Sequence, residues 1–201
     1  MTTSLFDFGR TEAEGAGGAR GELAGQASPA VNFMEQFNIP TDLSEWLGRK
    51  RLAGAVTEVT HSVNEQLLQP VFSLNNRRLF HPWALLSLVT YSYAVGIYGS
   101  EEIAHRLMHD ETFHVLFSHE CWDAGLIRRF RDLNRDLIQQ CLEKVCLLAW
   151  AEKFGSTAPP PAAAAEEARP LRAHPLFKIQ MICDVRTRVH CAEQADLLAA
   201  A

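Results

Sequence analysis

The chain has 201 residues, 47% of them hydrophobic, with a formal net charge of −5. That length supports one domain with a real core and leaves room for a small appendage, and that composition excludes wholesale disorder. An acidic total excludes a globally basic nucleic-acid binder, so any affinity for a phosphate backbone has to come from local clustering.

Residues 1–31 are rich in Gly, Ala, Glu and Ser, and bury too little apolar surface to offset the cost of ordering. They are expected to form a disordered tail. The N-terminus lacks a charged segment followed by an apolar one, so no signal peptide is expected. A helical domain is expected over residues 32–154. Its first element is a short helix through Trp46 and Leu47 that Gly48 ends. A second covers Leu52 to Gln69 and stops at Pro70, with Leu52, Val56, Val59, Val63 and Leu67 spaced at helical intervals.

His81-Pro82 opens the third helix, since proline is tolerated at the first helical position. Trp83, Leu85, Leu86, Leu88, Val89, Tyr91, Tyr93 and Val95 surround it on all sides, the pattern of a central buried helix. Its longest apolar run is broken by Ser87, Thr90 and Ser92 and is too short for a bilayer, so no membrane association is expected. Gly96 and Gly99 flank a turn. Ser100 is then the expected N-cap of a fourth helix reaching His109, with Glu101 and Glu102 in its first turn. Helix, glycine turn and capped helix give a helix-turn-helix outline. A short fifth helix, Glu111 to Phe117, offers Phe113, Leu116 and Phe117 to the core.

Asp123 caps the sixth and longest helix, expected to run to Lys153. Leu126, Phe130, Leu133, Leu137, Cys141, Val145 and Leu148 form its buried stripe. Arg128, Arg131 and Arg135 cluster opposite that stripe, with Arg129 to one flank. Residues 155–170 read as a Pro/Ala linker, and residues 171–201 as an amphipathic C-terminal helix opening at His174-Pro175. Ile182, Val185, Val189 and Ala192 mark its apolar side. Asp184, Glu193 and Asp196 on that helix read as a solvated face. No sustained period-two alternation occurs, so the expected fold class is all-α, a compact multi-helix domain.

Long cations fixed on one helical side suit a phosphate backbone, and arginine offers a bidentate fork. Arg128, Arg129, Arg131 and Arg135 are therefore the candidate DNA contacts. Arg77 and Arg78, just before the central helix, are secondary ones. The competing reading is a solvated face whose arginines pair with Asp132 and Asp136. Glu101 and Glu102 would repel phosphate, so the helix starting at Asp123 is the better reader. His105 and His109 form an i, i+4 pair beside His114 and His119, but no further ligand is fixed by spacing and HRLMH lacks the Glu of H-E-x-x-H. No metal site, cofactor or catalytic residue is assigned. The five cysteines, Cys121, Cys141, Cys146, Cys183 and Cys191, contain no C-x-x-C. Cys141, Cys146 and Cys183 fall in apolar helical patterns, where a free thiol acts as a small hydrophobe, and a reducing cytoplasm fits them.

His81-Pro82, Leu85, Leu86, Tyr93, Gly96, Ser100, Ile103, Phe113, Leu116 and Phe130-Arg131 together resemble the N-terminal helical domain of bacterial insertion-sequence transposases of the DDE class. The resemblance spans about residues 77–140. That family usually has Pro-Asp-x-x-Thr-Ile before its Phe-Arg; Trp122, Asp123, Leu126 and Ile127 stand here, so the proline and threonine are missing. Its catalytic carboxylates lie on a following RNase H-like domain, and none carries over to a residue of this chain. The resemblance implies a DNA-binding or assembly module without the strand-transfer engine, and with the arginines the expected partner is double-stranded DNA. The alternative is a protein-interaction module, pairing through its last helix or helical core with itself or with a full-length transposase.

Overall fold

The computed structural model describes residues 38–70, 82–117, 122–155 and 175–199. The expected tail, most of the linker, Arg77, Arg78, Cys121 and His119 lie outside the described residues, as does the side chain of His114. Eight α-helices and no strand occur among the described residues. They are α1 (Ser44–Leu47), α2 (Arg49–His61), α3 (Pro82–Ala94), α4 (Ser100–His109), α5 (Glu111–Leu116), α6 (Ala124–Leu133), α7 (Arg135–Phe154) and α8 (Pro175–Ala199). The fold class is all-α.

Helix α3 is the centre. Every residue from Leu85 to Ala94 except Ser87 is buried, and α2, α6 and α7 pack around it. It ends at Gly96, whose φ of 81° lies in the left-handed region. The Gly96 N–H reaches the Tyr93 carbonyl (3.3 Å) and the Ile97 N–H reaches Ser92 (2.8 Å), the hydrogen-bond pair of a Schellman ending. The Leu43 N–H satisfies the Ala94 carbonyl at 2.8 Å, which ties the chain before α1 to the end of α3. Phe113 packs edge-on against Tyr91, with ring centroids 5.5 Å apart. Leu116, expected in the core, is 37% exposed.

Two helices end earlier than their periodicity predicts. α2 stops at His61, and Asn64 caps a single 3₁₀ turn over Glu65–Leu67 that turns Leu67 outward. The long sixth helix is two helices, broken at Asn134. The buried Asn134 amide donates to the Phe130 and Gln69 carbonyls, both at 3.0 Å, and its oxygen accepts the Gln69 N–H at 2.7 Å. The bonds to Gln69 accompany a non-helical backbone at Asn134 (φ −118°, ψ 22°), although its N–H still reaches Phe130 and its carbonyl Ile138, both at 3.0 Å. The break shifts the phase, so Leu133 is 56% exposed and α7 buries Ile138, Cys141, Leu142, Val145, Cys146 and Ala149.

The C-terminal helix is part of the core. α8 packs on α7 and α4, burying Phe177, Met181, Val185, Val189 and Ala192. Phe177 stacks on Trp150 with centroids 5.0 Å apart. Phe177, Met181, Val185 and Val189 each contribute about 1.5–3 kcal/mol on burial. Cys183, expected within an apolar face, is exposed on the opposite side. Among the described residues no helix is long and apolar enough to cross a membrane.

Candidate nucleic-acid interface

Helix α6 carries the arginines. The Asp123 carboxylate accepts the Leu126 N–H at 2.7 Å, the expected N-cap. Leu126, Ile127 and Phe130 then fix one side in the core. Residues 128, 131 and 135 recur at intervals of three and four and share another side. Acids of α8 reach that side and cover its centre. Arg131, a candidate contact, is 3% exposed and ion-paired with Asp196. It also donates to the Tyr98 carbonyl at 3.2 Å. Arg131 therefore cannot present its guanidinium to a phosphate in this arrangement, a correction to the expectation for that residue.

Arg128 and Arg135 retain access. The Arg128 side chain is 36% exposed, with its Nε 3.1 Å from Asp196 Oδ2. Arg135 is 54% exposed and 3.0 Å from Glu193 Oε1. Arg129 is half-buried, and its Nε finds no hydrogen-bond partner among the described residues. The paired acids come from α8. Asp132 and Asp136, the partners the competing reading named, are exposed and stand in none of these pairs. The reading of Asp184, Glu193 and Asp196 as a solvated face is corrected for Asp196, which is 5% exposed, and for Asp184, which pairs with the buried Arg188, whereas Glu193 is 35% exposed.

Asp196 has a second role. Its Oδ1 accepts the Ser100 N–H and its Oδ2 the Ser100 hydroxyl, both at 2.8 Å. Ser100 is thus the first residue of α4 rather than its cap; Gly99 holds the cap position and the capping oxygen arrives from α8. Burial pushes the Asp196 carboxyl upward, but the two Ser100 bonds and the guanidinium groups of Arg131 and Arg128 outweigh it. The result lies below the usual carboxylate range.

Two turns earlier on α8, Arg188 serves the other helix end. It is 2% exposed and pairs with Asp184 at 2.7 Å. It also donates to the carbonyls of Thr41 (2.6 Å), Tyr93 (2.9 Å) and Pro40 (2.5 Å). Eight helical residues span about 12 Å. Over that distance α8 sets a cation at the C-terminal end of α3 and an anion at the N-terminal end of α4, the signs their dipoles favour. The helix-turn-helix outline is clasped at both ends of its turn, and the N-terminus of α4 is not open to a ligand.

Sequence reasoning missed Arg188 and Asp196. The available signal was phase: both fall in register with the Val185, Val189 and Ala192 stripe, and a charge in phase with an apolar stripe has to find a buried partner.

His105 and His109 stack with centroids 4.2 Å apart, beside a shallow hollow lined by Glu102, Arg106, Asp110 and Glu111. Among the described residues no three His, Cys, Asp or Glu side chains are grouped to hold a metal ion.

No protein-family model, curated protein or solved structure matches this chain.

Proposed function

We propose that this protein is a transposase-like, double-stranded-DNA-binding module that acts by binding rather than strand transfer. The observation that carries the reading is the row of Arg128, Arg129 and Arg135. The side chains of Arg128 and Arg135 are 36% and 54% exposed at α6 and the start of α7, with the partly buried Arg129 to one flank, while Leu126, Ile127 and Phe130 fix the backbone beneath them. Arg77 and Arg78 are secondary contacts in this reading, and Arg131 holds the scaffold. The resemblance adds support. Leu85, Leu86, Tyr93, Ile103, Phe113 and Phe130, six of the residues that carry it, are buried, as expected if they specify a shared helical framework. A cytoplasmic location follows from such a partner.

The self-association reading loses its original motive. The apolar stripe of α8 that would have met a second copy or a full-length transposase is occupied within the chain.

The test is fluorescence anisotropy of labelled random-sequence duplex at low and moderate salt. Wild type is expected to bind with an affinity that falls steeply as salt rises. The Arg129→Ala, Arg135→Ala double variant should bind more weakly, with a log–log salt slope shallower by about 1.8, or about 0.9 for each phosphate that is no longer neutralised. Absence of binding at low salt, or an unchanged double variant, would overturn the reading.

A further inference from the structure

The arginine edge and the end of α8 form a graded contact. Asp196–Arg131 is buried at its centre, whereas Glu193–Arg135 lies at the rim with 35% and 54% of the side chains exposed. Glu193 also faces His190, with Oε2 3.7 Å from Nδ1. The last turn of α8 carries no basic residue, so Asp196 sits at a helix end whose own dipole disfavours anions. Leu197 and Leu198 are 64% and 78% exposed and contribute little burial there. This end of α8 is therefore held by its charge partners more than by its own helical preference, and its outermost partner is the easiest to exchange.

We propose that Glu193 is an internal stand-in for a DNA phosphate: it occupies Arg135 in the free protein, and duplex DNA displaces it. The inference deepens the DNA-binding reading above and rests on it. An exposed ion pair holds weakly. A duplex phosphate presents the same oxygen geometry to the guanidinium fork and gains from counterion release. Asp196 stays in place during the exchange, because it also caps α4 and compensates the buried Arg131. Glu193 thus lowers the affinity of the free protein for arbitrary DNA without closing the surface, and the affinity is set by competition between a carboxylate of the chain and a phosphate of the partner.

The test is Glu193→Gln, compared with Glu45→Gln, a substitution of equal charge change at an exposed site on α1. Binding to random-sequence duplex is measured at about pH 8, above the ordinary imidazole range. Glu193→Gln is expected to bind about three- to tenfold tighter than wild type at low salt, with a log–log slope steeper by up to about 0.9. Glu45→Gln should stay within about twofold of wild type. Adding Arg135→Ala to Glu193→Gln should abolish the gain, and Arg135→Ala should cost more affinity in the Glu193→Gln background than in wild type. If wild type binds DNA but Glu193→Gln is no tighter than Glu45→Gln, the displacement is overturned while the DNA reading stands. If wild type and Glu193→Gln both fail to bind at low salt, both fall. If Glu193→Gln binds where wild type does not, Glu193 closes the surface and its displacement by DNA is overturned.

Discussion

Arg131 and Asp196 stand 65 residues apart in the chain and form an ion pair in which 4% and 6% of the two side chains are exposed. The same carboxylate receives the N–H and hydroxyl of Ser100, so one acid fixes α4, α6 and α8. A buried pair is costly to assemble, and removing one partner is worse, because the other stays behind as an uncompensated charge.

Asp196→Ala is accordingly expected to destabilise the fold by about 3–5 kcal/mol. Asp196→Asn keeps an acceptor for Ser100 and Arg131 but leaves the Arg131 charge uncompensated, so it should cost only somewhat less, about 2–4 kcal/mol. An Arg131→Met, Asp196→Leu double variant should recover part of the Ala deficit, since no charge is then stranded. Urea unfolding of the four proteins measures all three values, and an Ala variant within about 1 kcal/mol of wild type would contradict the assigned role.

The same carboxylate makes stability depend on acidity. Its folded pKa is depressed despite the upward push of burial, because the Ser100 bonds and the two arginines favour the charged form. An unfolded Asp titrates near ~3.9. The unfolded chain therefore takes up the proton first as pH falls, so the contribution of Asp196 is complete above about pH 5 and is lost from about pH 4 downward. Asp110 acts in the same direction. Burial is the largest single influence and raises its carboxyl, but the hydrogen bonds from Thr112, Arg106 and Phe113 together lower it more. Urea midpoints between pH 6 and pH 3 should fall for wild type and fall less for Asp196→Asn.

Arg188 satisfies three backbone carbonyls and Asp184 from a nearly closed position. Lysine keeps the charge but lacks the fork, so Arg188→Lys is expected to cost about 2–4 kcal/mol. Hydrogen exchange should show the loss first at the end of α3. Protection there equal to that of wild type would argue against the clasp.

Gly96 sits under the same clasp. A Cβ at that position would lie 2.8 Å from Thr41 Cγ2, and the backbone has a positive φ. Gly96→Ala should cost about 1–3 kcal/mol from backbone strain. Thermal unfolding reads the loss, and an unchanged midpoint would show that the turn relaxes freely.

The thiols divide by burial. Burial pushes Cys141 up to about 11 and Cys146 up to about 12, while Cys183 and Cys191 are exposed. Reactivity follows thiolate fraction and access. Iodoacetamide at pH 8 should label Cys183 and Cys191 in the native protein, and Cys141 and Cys146 only after unfolding. Peptide mass mapping decides it, and early labelling of Cys146 would contradict its place in the core.

The sequence by itself determined the local signals. Pro82 at the start of α3, Gly96 after its end, Asp123 at the cap of α6 and Pro175 at the start of α8 act on neighbours within about four residues, and their effects are readable there. The all-round apolar pattern of residues 83–95 also made α3 the central helix. Tertiary structure alone decided where charges and breaks find partners. Asn134 divides α6 from α7 because Gln69, 65 residues earlier, offers its backbone. Arg131 is buried because Asp196 reaches it from α8. The spacing of 128, 131 and 135 placed these arginines on one side, but not what would cover that side. Periodicity assigns residues to a face, whereas packing decides whether the face meets water, a phosphate or another helix of the same chain.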